Sequence, residues 1–382
     1  MDDHINILYP RFLDINAAKP QDINAIELFS RFKMKKIKFI GFYKYKYPEI
    51  LNFEGISLDK IIFPPPSRKN DPPSGFQRKI SLFLHEIEMF MRYQKKADGI
   101  FYASGRPLHI KALKIRKKWQ RTPVIITIEG LMGDKASQHA FEELKGHEVF
   151  MSPVTTSRMK GILDTADHIF TINPMVKEYL KEIWRRDSIV LPLGINENVF
   201  YPKHKAQQVN DRLTVVSAGR VSRLKRPDFF VYIASLFPDC DFFWYGDGPM
   251  REQVQRLAAE KGVHNVFFPG SIPQTELAEK MRQADIFAFP SISEGWGKVT
   301  QEALACGTPA IVFGYYHTPL IRHGYNGLVA WNDEEFISHL HNLLHDDERR
   351  ALMGSVAADD AAEMSWDRVA PMWEEKLESL FT

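Results

Sequence analysis

Cysteine is scarce in this chain. Its 382 residues hold two, Cys240 and Cys306, far apart and without metal-ligand spacing, which excludes a disulfide framework and a zinc site. Long apolar runs are missing too: no stretch reaches the eighteen residues of a membrane-spanning helix. The opening Met1-Asp-Asp-His-Ile5 has neither the basic start nor the apolar stretch of a secretory leader. The chain therefore reads as cytoplasmic. Charge of one sign is not in excess overall, with 50 Lys+Arg against 48 Asp+Glu. His109, His139, His147 and His317 lack the spacing of a catalytic triad or a zinc site, and each reads as a surface or packing residue.

What is present fits a two-domain globular protein, with 44% hydrophobic and 26% charged residues and enough length for two cores. The balanced charge hides an asymmetry. Residues 1–200 carry 32 basic against 23 acidic side chains, and residues 201–382 carry 18 against 25. Basic clusters at Lys33–Lys38, Lys44–Lys46 and Lys114–Lys118 make an anionic membrane surface or a phosphate-bearing acceptor a fitting partner for the first half. Nucleic acid is not expected, because no nucleic-acid-binding module accompanies the charge.

The first half alternates short apolar runs with helix-length segments. Runs at 5–9, 37–41, 99–102, 124–128, 168–172 and 189–192 read as strands; 77–96, 107–119 and 174–184 read as helices. The proline-rich stretch 64–75 reads as a loop. After a polar lapse from Gly194 to Arg212, taken as a linker, a second alternating series begins. Its strands are 213–217, 242–245, 266–268, 286–289, 310–313 and 327–330, followed by a helical tail. Alternation of this kind predicts parallel sheets covered by helices. The expected architecture is α/β: two doubly wound Rossmann-like domains facing across a cleft, over 1–200 and 201–364. Ligands in such sheets bind beyond the carboxyl ends of the strands.

The densest signal is Ser291-Ile-Ser-Glu294-Gly-Trp-Gly297-Lys-Val-Thr-Gln-Glu302. A buried strand ends here in a glycine-rich turn that opens a helix at Lys298. Gly295 and Gly297 let backbone pass close to a ligand, and the helix start aims N–H groups at it. Such a terminus favours phosphate. Glu294 and Glu302 would repel phosphate and accept hydrogen bonds from neutral hydroxyls instead. Donors for a phosphate beside carboxylates for diols suit a nucleotide sugar. Arg220 and Lys225, after the strand that leads to Gly219, can clamp a diphosphate, one as a fork and one as a point charge. Glycine-rich turns recur at Trp244-Tyr-Gly246-Asp-Gly248-Pro and Phe268-Pro-Gly270-Ser271-Ile272. By themselves they show only that backbone approaches something closely.

A Glu, seven residues and a second Glu, with Gly-aromatic-Gly between them, resembles the donor site of retaining GT-B glycosyltransferases, family 4. The resemblance covers nearly all of residues 194–382. It implies a C-terminal helix, 365–382, that crosses back onto the first domain, an acceptor-binding first domain and a donor-binding second one. It also implies a nucleoside diphosphate sugar as co-substrate, UDP before GDP, and no metal or other cofactor. The expected activity is transfer of the sugar to a glycan or glycolipid in cell-surface polysaccharide synthesis, by an enzyme that is cytoplasmic or peripheral at the inner face of the membrane. Glu294, Arg220 and Lys225 are the expected catalytic residues. Around the donor stand Gly219, Gly246, Gly270, Ser271, Ile272, Gly295, Trp296, Gly297, Lys298, Val299 and Glu302. No second carboxylate is placed as a nucleophile, so retention by front-face substitution is expected. Asp239-Cys-Asp241 matches the Asp-x-Asp of metal-dependent transferases but reads as a solvated turn. The first domain departs from the family: Asn16–Pro20 replaces a glycine pair, and Glu129 and Ser104-Gly105 stand where histidines are usual. Pro319 stands where a glutamate is usual. Glu129 is the candidate acceptor contact. A non-catalytic nucleotide-sugar-binding subunit, and an epimerase or phosphorylase on the same scaffold, are the alternatives.

Overall fold

The computed structural model describes residues 122–202 and 212–381 throughout. Before residue 122 it describes the strands Ile5–Phe12, Ile37–Tyr43 and Ile56–Lys60, residues 98–102, and residues 24, 27, 28, 31 and 32. The proline-rich stretch 64–75, the helices expected at 77–96 and 107–119 and most of the basic clusters lie outside the described residues. So do Asn16–Pro20, Ser104-Gly105, His109 and residues 203–211.

The chain divides into two units. The first comprises 1–141, 152–194 and 366–382; the second comprises 142–151 and 195–365. In the first unit, β1 (Ile5–Phe12), β2 (Ile37–Tyr43), β3 (Ile56–Lys60), β4 (Gly99–Tyr102), β5 (Val124–Ile128), β8 (His168–Thr171) and β9 (Ile189–Val190) form one sheet. Its order is β3-β2-β1-β4-β5-β8-β9; every pairing is parallel. The short pieces β6 (Met132–Gly133) and β7 (Ser152–Pro153) pair separately. β5 is buried at all five positions, the continuous apolar pattern of a strand covered on both faces.

The second unit holds β10 (Thr214–Ala218), β11 (Asp241–Tyr245), β12 (Val266–Gly270), β13 (Ile286–Phe289), β14 (Ala310–Phe313) and β15 (Gly327–Ala330). They run parallel in the order β12-β11-β10-β13-β14-β15. The order reverses between β10 and β13, which creates the crevice beyond their carboxyl ends where doubly wound sheets take ligands. One device recurs in both units. Asp167 accepts a hydrogen bond from Val124 N at 2.9 Å, and Asp285 accepts one from Thr214 N at 2.8 Å. Each carboxylate fastens the start of the neighbouring strand.

The C-terminal helix Trp366–Glu378 belongs to the first unit, as the resemblance implied. Trp373 donates to Pro192 O at 2.7 Å and stands edge-on to Phe101 and Phe170. Trp366 fills the space beside Gly194 that a Cβ there would need. The expected linker is shorter than the sequence pattern indicates. Ile195 and Phe200 are buried, Ile195 N donates to Met364 O, and Val199 O accepts from Arg282. The polar residues that read as linker make a turn, with Asn196 Oδ1 accepting from Asn198 N at 3.1 Å.

Candidate functional site

At the exit of β10, Gly219 has φ +127° and open space where a Cβ would stand. Its neighbour Arg220 is exposed, and its guanidinium has no partner among the described residues. The chain then makes a tight turn, Arg223–Lys225, and Arg226 takes φ +50°, a conformation costly for a non-glycine residue. Arg226 holds it by a two-pronged bond to Asp333 at 2.6 and 2.7 Å and by stacking 4.4 Å over Phe229. The turn delivers Lys225 to the exit of β13. There its Nζ contacts Glu294 Oε1 and lies 5.0 Å from the centre of the Phe289 ring. Ser291 Oγ donates to the same carboxylate oxygen at 2.6 Å, and Ile292 N donates to Leu224 O at 2.9 Å. The two strand exits flanking the reversal are thus joined by side chain and backbone. Burial pulls the Lys225 ammonium down to about 7, while the carboxylate against it favours the charged form.

Gly246 (φ +145°) is a glycine for a packing reason. A Cβ there would lie 2.0 Å from Gly219 O, and one at Gly248 would lie 2.3 Å from Val221 O. Gly219 N donates to Tyr245 O, and Gly246 N to Gly270 O. The ends of β10, β11 and β12 therefore form one connected rim. Arg251 supports its far side by donating to Phe268 O at 2.9 Å. Ser271 is exposed there and Ile272 half-buried.

Beyond Glu294 the turn reaches Gly297, φ +86°, which starts the helix Lys298–Ala305 without any side-chain cap. Gly295, Lys298 and Val299 are half-buried around it. Trp296, which the resemblance places around the donor, turns its ring inward. It is 4% exposed, and its indole donates to Gln301 Oε1 at 3.0 Å. The ring holds the turn from inside, and its main chain is what remains for a ligand. Glu302 is 5% exposed, and burial pushes its carboxyl up to about 7 against the pull of Lys298. Glu129, half-buried, stands at the carboxyl end of β5 in the first unit.

The Asp239-Cys-Asp241 turn engages Asp241 with Arg212 at 2.9 Å. Among the described residues, no three His, Cys, Asp or Glu side chains gather as they would around a metal ion. Both cysteines are buried and unpaired, and burial drives the Cys306 thiol up to about 12, leaving it inert. His147 and His317 pack on each other, with their Nε2 atoms 2.9 Å apart. The sequence pattern also missed Ser291 and Arg226. Nothing in the spacing marks Ser291, whereas an arginine directly before Pro227 could have been read as a helix-start anchor.

The family described as "Glycosyl transferases group 1" matches residues 201–360. Those residues are a glycosyl transferases group 1 domain. The D-inositol 3-phosphate glycosyltransferase of Thermobispora bispora is 31% identical over 249 residues, 57% of this chain and 58% of that protein. The sulfoquinovosyl transferase SQD2 of Arabidopsis thaliana is 27% identical over 187 residues, 45% of this chain and 36% of that protein. The chain thus spans about half the length of the curated relatives it matches. Sucrose-phosphate synthase from Thermosynechococcus elongatus has a similar structure, with TM-score 0.78, 19% identity and 99% of each chain covered. HepE from Anabaena, solved with UDP, has TM-score 0.72 and 16% identity over 98% of this chain and 100% of that one. The fold is GT-B. Every site element of the second unit described above lies inside the glycosyl transferases group 1 domain. No helix among the described residues is long and apolar enough to cross a membrane.

Proposed function

We propose that this protein is a retaining glycosyltransferase of the family 4 type that moves a sugar from a nucleoside diphosphate, UDP before GDP, to a glycan or glycolipid acceptor. The observation that carries this is the junction at the strand-order reversal. Lys225, Glu294 and Ser291 meet there, beside the uncapped helix start at Gly297, and Arg220, whose guanidinium has no partner among the described residues, follows the exit of β10. The relatives named as glycosyltransferases and a structural neighbour holding UDP-glucose support the same reading.

In this mechanism the departing diphosphate gathers charge against Arg220, Lys225 and the N–H groups of Gly297–Val299, which are preorganised to receive it. Donor binding makes Lys225 exchange part of its contact with Glu294 for a phosphate oxygen. That frees the carboxylate to orient the sugar's hydroxyls. Glu302 accepts the ribose diol, and the rim at Gly246, Gly270, Ser271 and Ile272 presents main chain to the base. With no carboxylate assigned as nucleophile, the acceptor attacks on the face from which the diphosphate leaves, and configuration is retained. The charge of the leaving group is met by protein cations, so no metal is required. Glu129 is the acceptor contact in this scheme. The basic first half would hold the enzyme at an anionic membrane on the cytoplasmic side, in keeping with a role in cell-surface polysaccharide synthesis.

A second reading, a nucleotide-sugar-binding subunit without turnover, draws on Glu129 and Pro319, which stand where family members usually carry histidine and glutamate. The decisive assay follows UDP-sugars by NMR with and without glycan and glycolipid acceptors. Glycoside formed with the donor's anomeric configuration supports the proposal, inverted product refutes retention, and tight binding without turnover favours the second reading.

A further inference from the structure

Two arginines among the described residues hold a left-handed backbone, and their settings differ. Arg185, φ +53°, ends the helix Pro174–Trp184 with an exposed side chain, a place where that conformation is common. Arg226, φ +50° and ψ +53°, also ends a turn, but it opens the helix Pro227–Leu236 at the same residue. It directly precedes a proline, where an extended backbone is usual. Glycine is the residue that takes this conformation without strain. Such strain persists where the surroundings over-determine it, and the Arg226 side chain supplies what a glycine would lack. Its fork closes on both oxygens of Asp333, the first residue of the helix Asp333–Leu344. Its guanidinium carbon lies 4.4 Å from the centre of the Phe229 ring and 5.3 Å from that of Phe313.

The turn Arg223–Lys225 is held from two sides. On one, Leu224 O accepts from Ile292 N at 2.9 Å, which binds the turn to the exit of β13. On the other, Arg226 N donates to Arg223 O at 3.1 Å, and Arg226 O accepts from Phe230 N at 3.2 Å. The backbone at Arg226 thus sets the angle between the turn and the helix that follows. Lys225 lies between the two fastenings, and its Nζ meets Glu294. A long flexible side chain keeps such a place only while its backbone is fixed. A fork made for stability alone needs no strained residue: Arg322 closes on Asp360 at 2.8 and 2.9 Å without a left-handed backbone.

We propose that Arg226 is a positioning residue for Lys225. Tied to Asp333 and seated on Phe229 and Phe313, it fixes the turn so that Lys225 stands against Glu294, ready for the diphosphate of a nucleotide sugar. The part played by Lys225 rests on the proposed function; the fastening of the turn does not.

The test compares the full native chain with Arg226→Gly, Asp333→Asn, Lys225→Ala, the double variant of Arg226→Gly with Lys225→Ala, and Arg322→Ala as a fork outside the turn. Glycine adopts a left-handed backbone freely, so Arg226→Gly folds, and Asp333→Asn cuts the same tether without altering residue 226. Hydrogen exchange of Ile292 N, followed by NMR, reads the turn; turnover of UDP-glucose reads Lys225. Protection of Ile292 N falls several-fold in Arg226→Gly and in Asp333→Asn, and stays native in Arg322→Ala. In the same two variants kcat/KM falls about tenfold, the loss of one charge-assisted contact. Once Lys225 is alanine, Arg226→Gly lowers it no further, as expected of residues that act through one another. Native protection of Ile292 N in both tether variants overturns the inference. So does a loss from Arg226→Gly that is undiminished in the Lys225→Ala background, because the arginine then acts elsewhere. A native chain that neither binds nor turns over UDP-glucose, with protection lost as predicted, supports the fastening and overturns the reading of the site instead.

Discussion

Two strand-to-helix turns in this molecule follow strands introduced by the same Ala-Asp pair, Ala166-Asp167 before β8 and Ala284-Asp285 before β13. The turn after β8 is closed by its own side chains. Asn173, 1% exposed, accepts from Met175 N at 2.8 Å, and Pro174 brings no N–H that needs a partner. The turn after β13 begins its helix at Gly297 with no side-chain cap and places Glu294 and Lys225 beside the opening. The first satisfies one of its helix's free donors with a side chain, and the second satisfies none that way. Capping separates the two turns more clearly than composition does.

The widest gap between the two turns should lie in catalysis. Lys225→Ala and Glu294→Gln should each lower turnover by roughly 10²–10³, the usual loss for a preorganised charge contact. Asn173→Ala should leave kcat unchanged, and equal losses in steady-state assays would erase the distinction. Gly246→Ala comes next. Its Cβ would meet Gly219 O at 2.0 Å with φ at +145°, so denaturant unfolding should show a loss of about 3 kcal/mol, strain and overpacking together.

Glu302 sharpens the comparison through pH. Its carboxyl is raised by burial from 4.5 to about 7 in the folded chain. Below 4.5 both folded and unfolded forms hold the proton. Between 4.5 and about 7 the unfolded chain releases it while the folded chain keeps it. Stability therefore falls as pH rises through that window, by an amount on the order of 3 kcal/mol. The native protein's unfolding free energy should show this slope, and Glu302→Gln should flatten it.

Much of this was legible beforehand. The helices Pro174–Trp184 and Lys298–Ala305 have the bounds their patterns predict, because Asn173-Pro174 and Gly297 are strong start signals. β3 and the helices Lys135–Lys145 and Thr156–Thr165 escaped the apolar pattern. Helix Lys135–Lys145 buries only Ser137 and Phe141, which is too few for a clear periodicity. At the site, the glycines and the two carboxylates were visible as spacing. The partners were not: Ser291 reaches Glu294 through a turn, Arg226 reaches Asp333 across 107 residues, and His147 reaches His317 across 170. Trp296 shows the limit of motif reading, since a Gly-aromatic-Gly pattern does not say which way the ring faces.

Two smaller effects complete the contrast. Asn173→Ala should cost about 1 kcal/mol, the ordinary loss of a helix cap, measurable as a lower denaturant midpoint with unchanged donor affinity. Arg220→Ala should do the reverse. An exposed guanidinium without a partner among the described residues contributes within about 0.5 kcal/mol to stability, while the KM for the nucleotide sugar should rise.

The most direct test of the central claim is thermal unfolding of the native chain with UDP and UDP-glucose, beside Lys225→Ala, Glu302→Ala and Asn173→Ala. A ligand at about a hundred times its Kd stabilises the native state by roughly 2.7 kcal/mol. The account predicts a Tm raised by several degrees in the native chain and in Asn173→Ala, and no rise in the other two. A folded native chain that neither ligand shifts, or an equal shift in all four proteins, would contradict it.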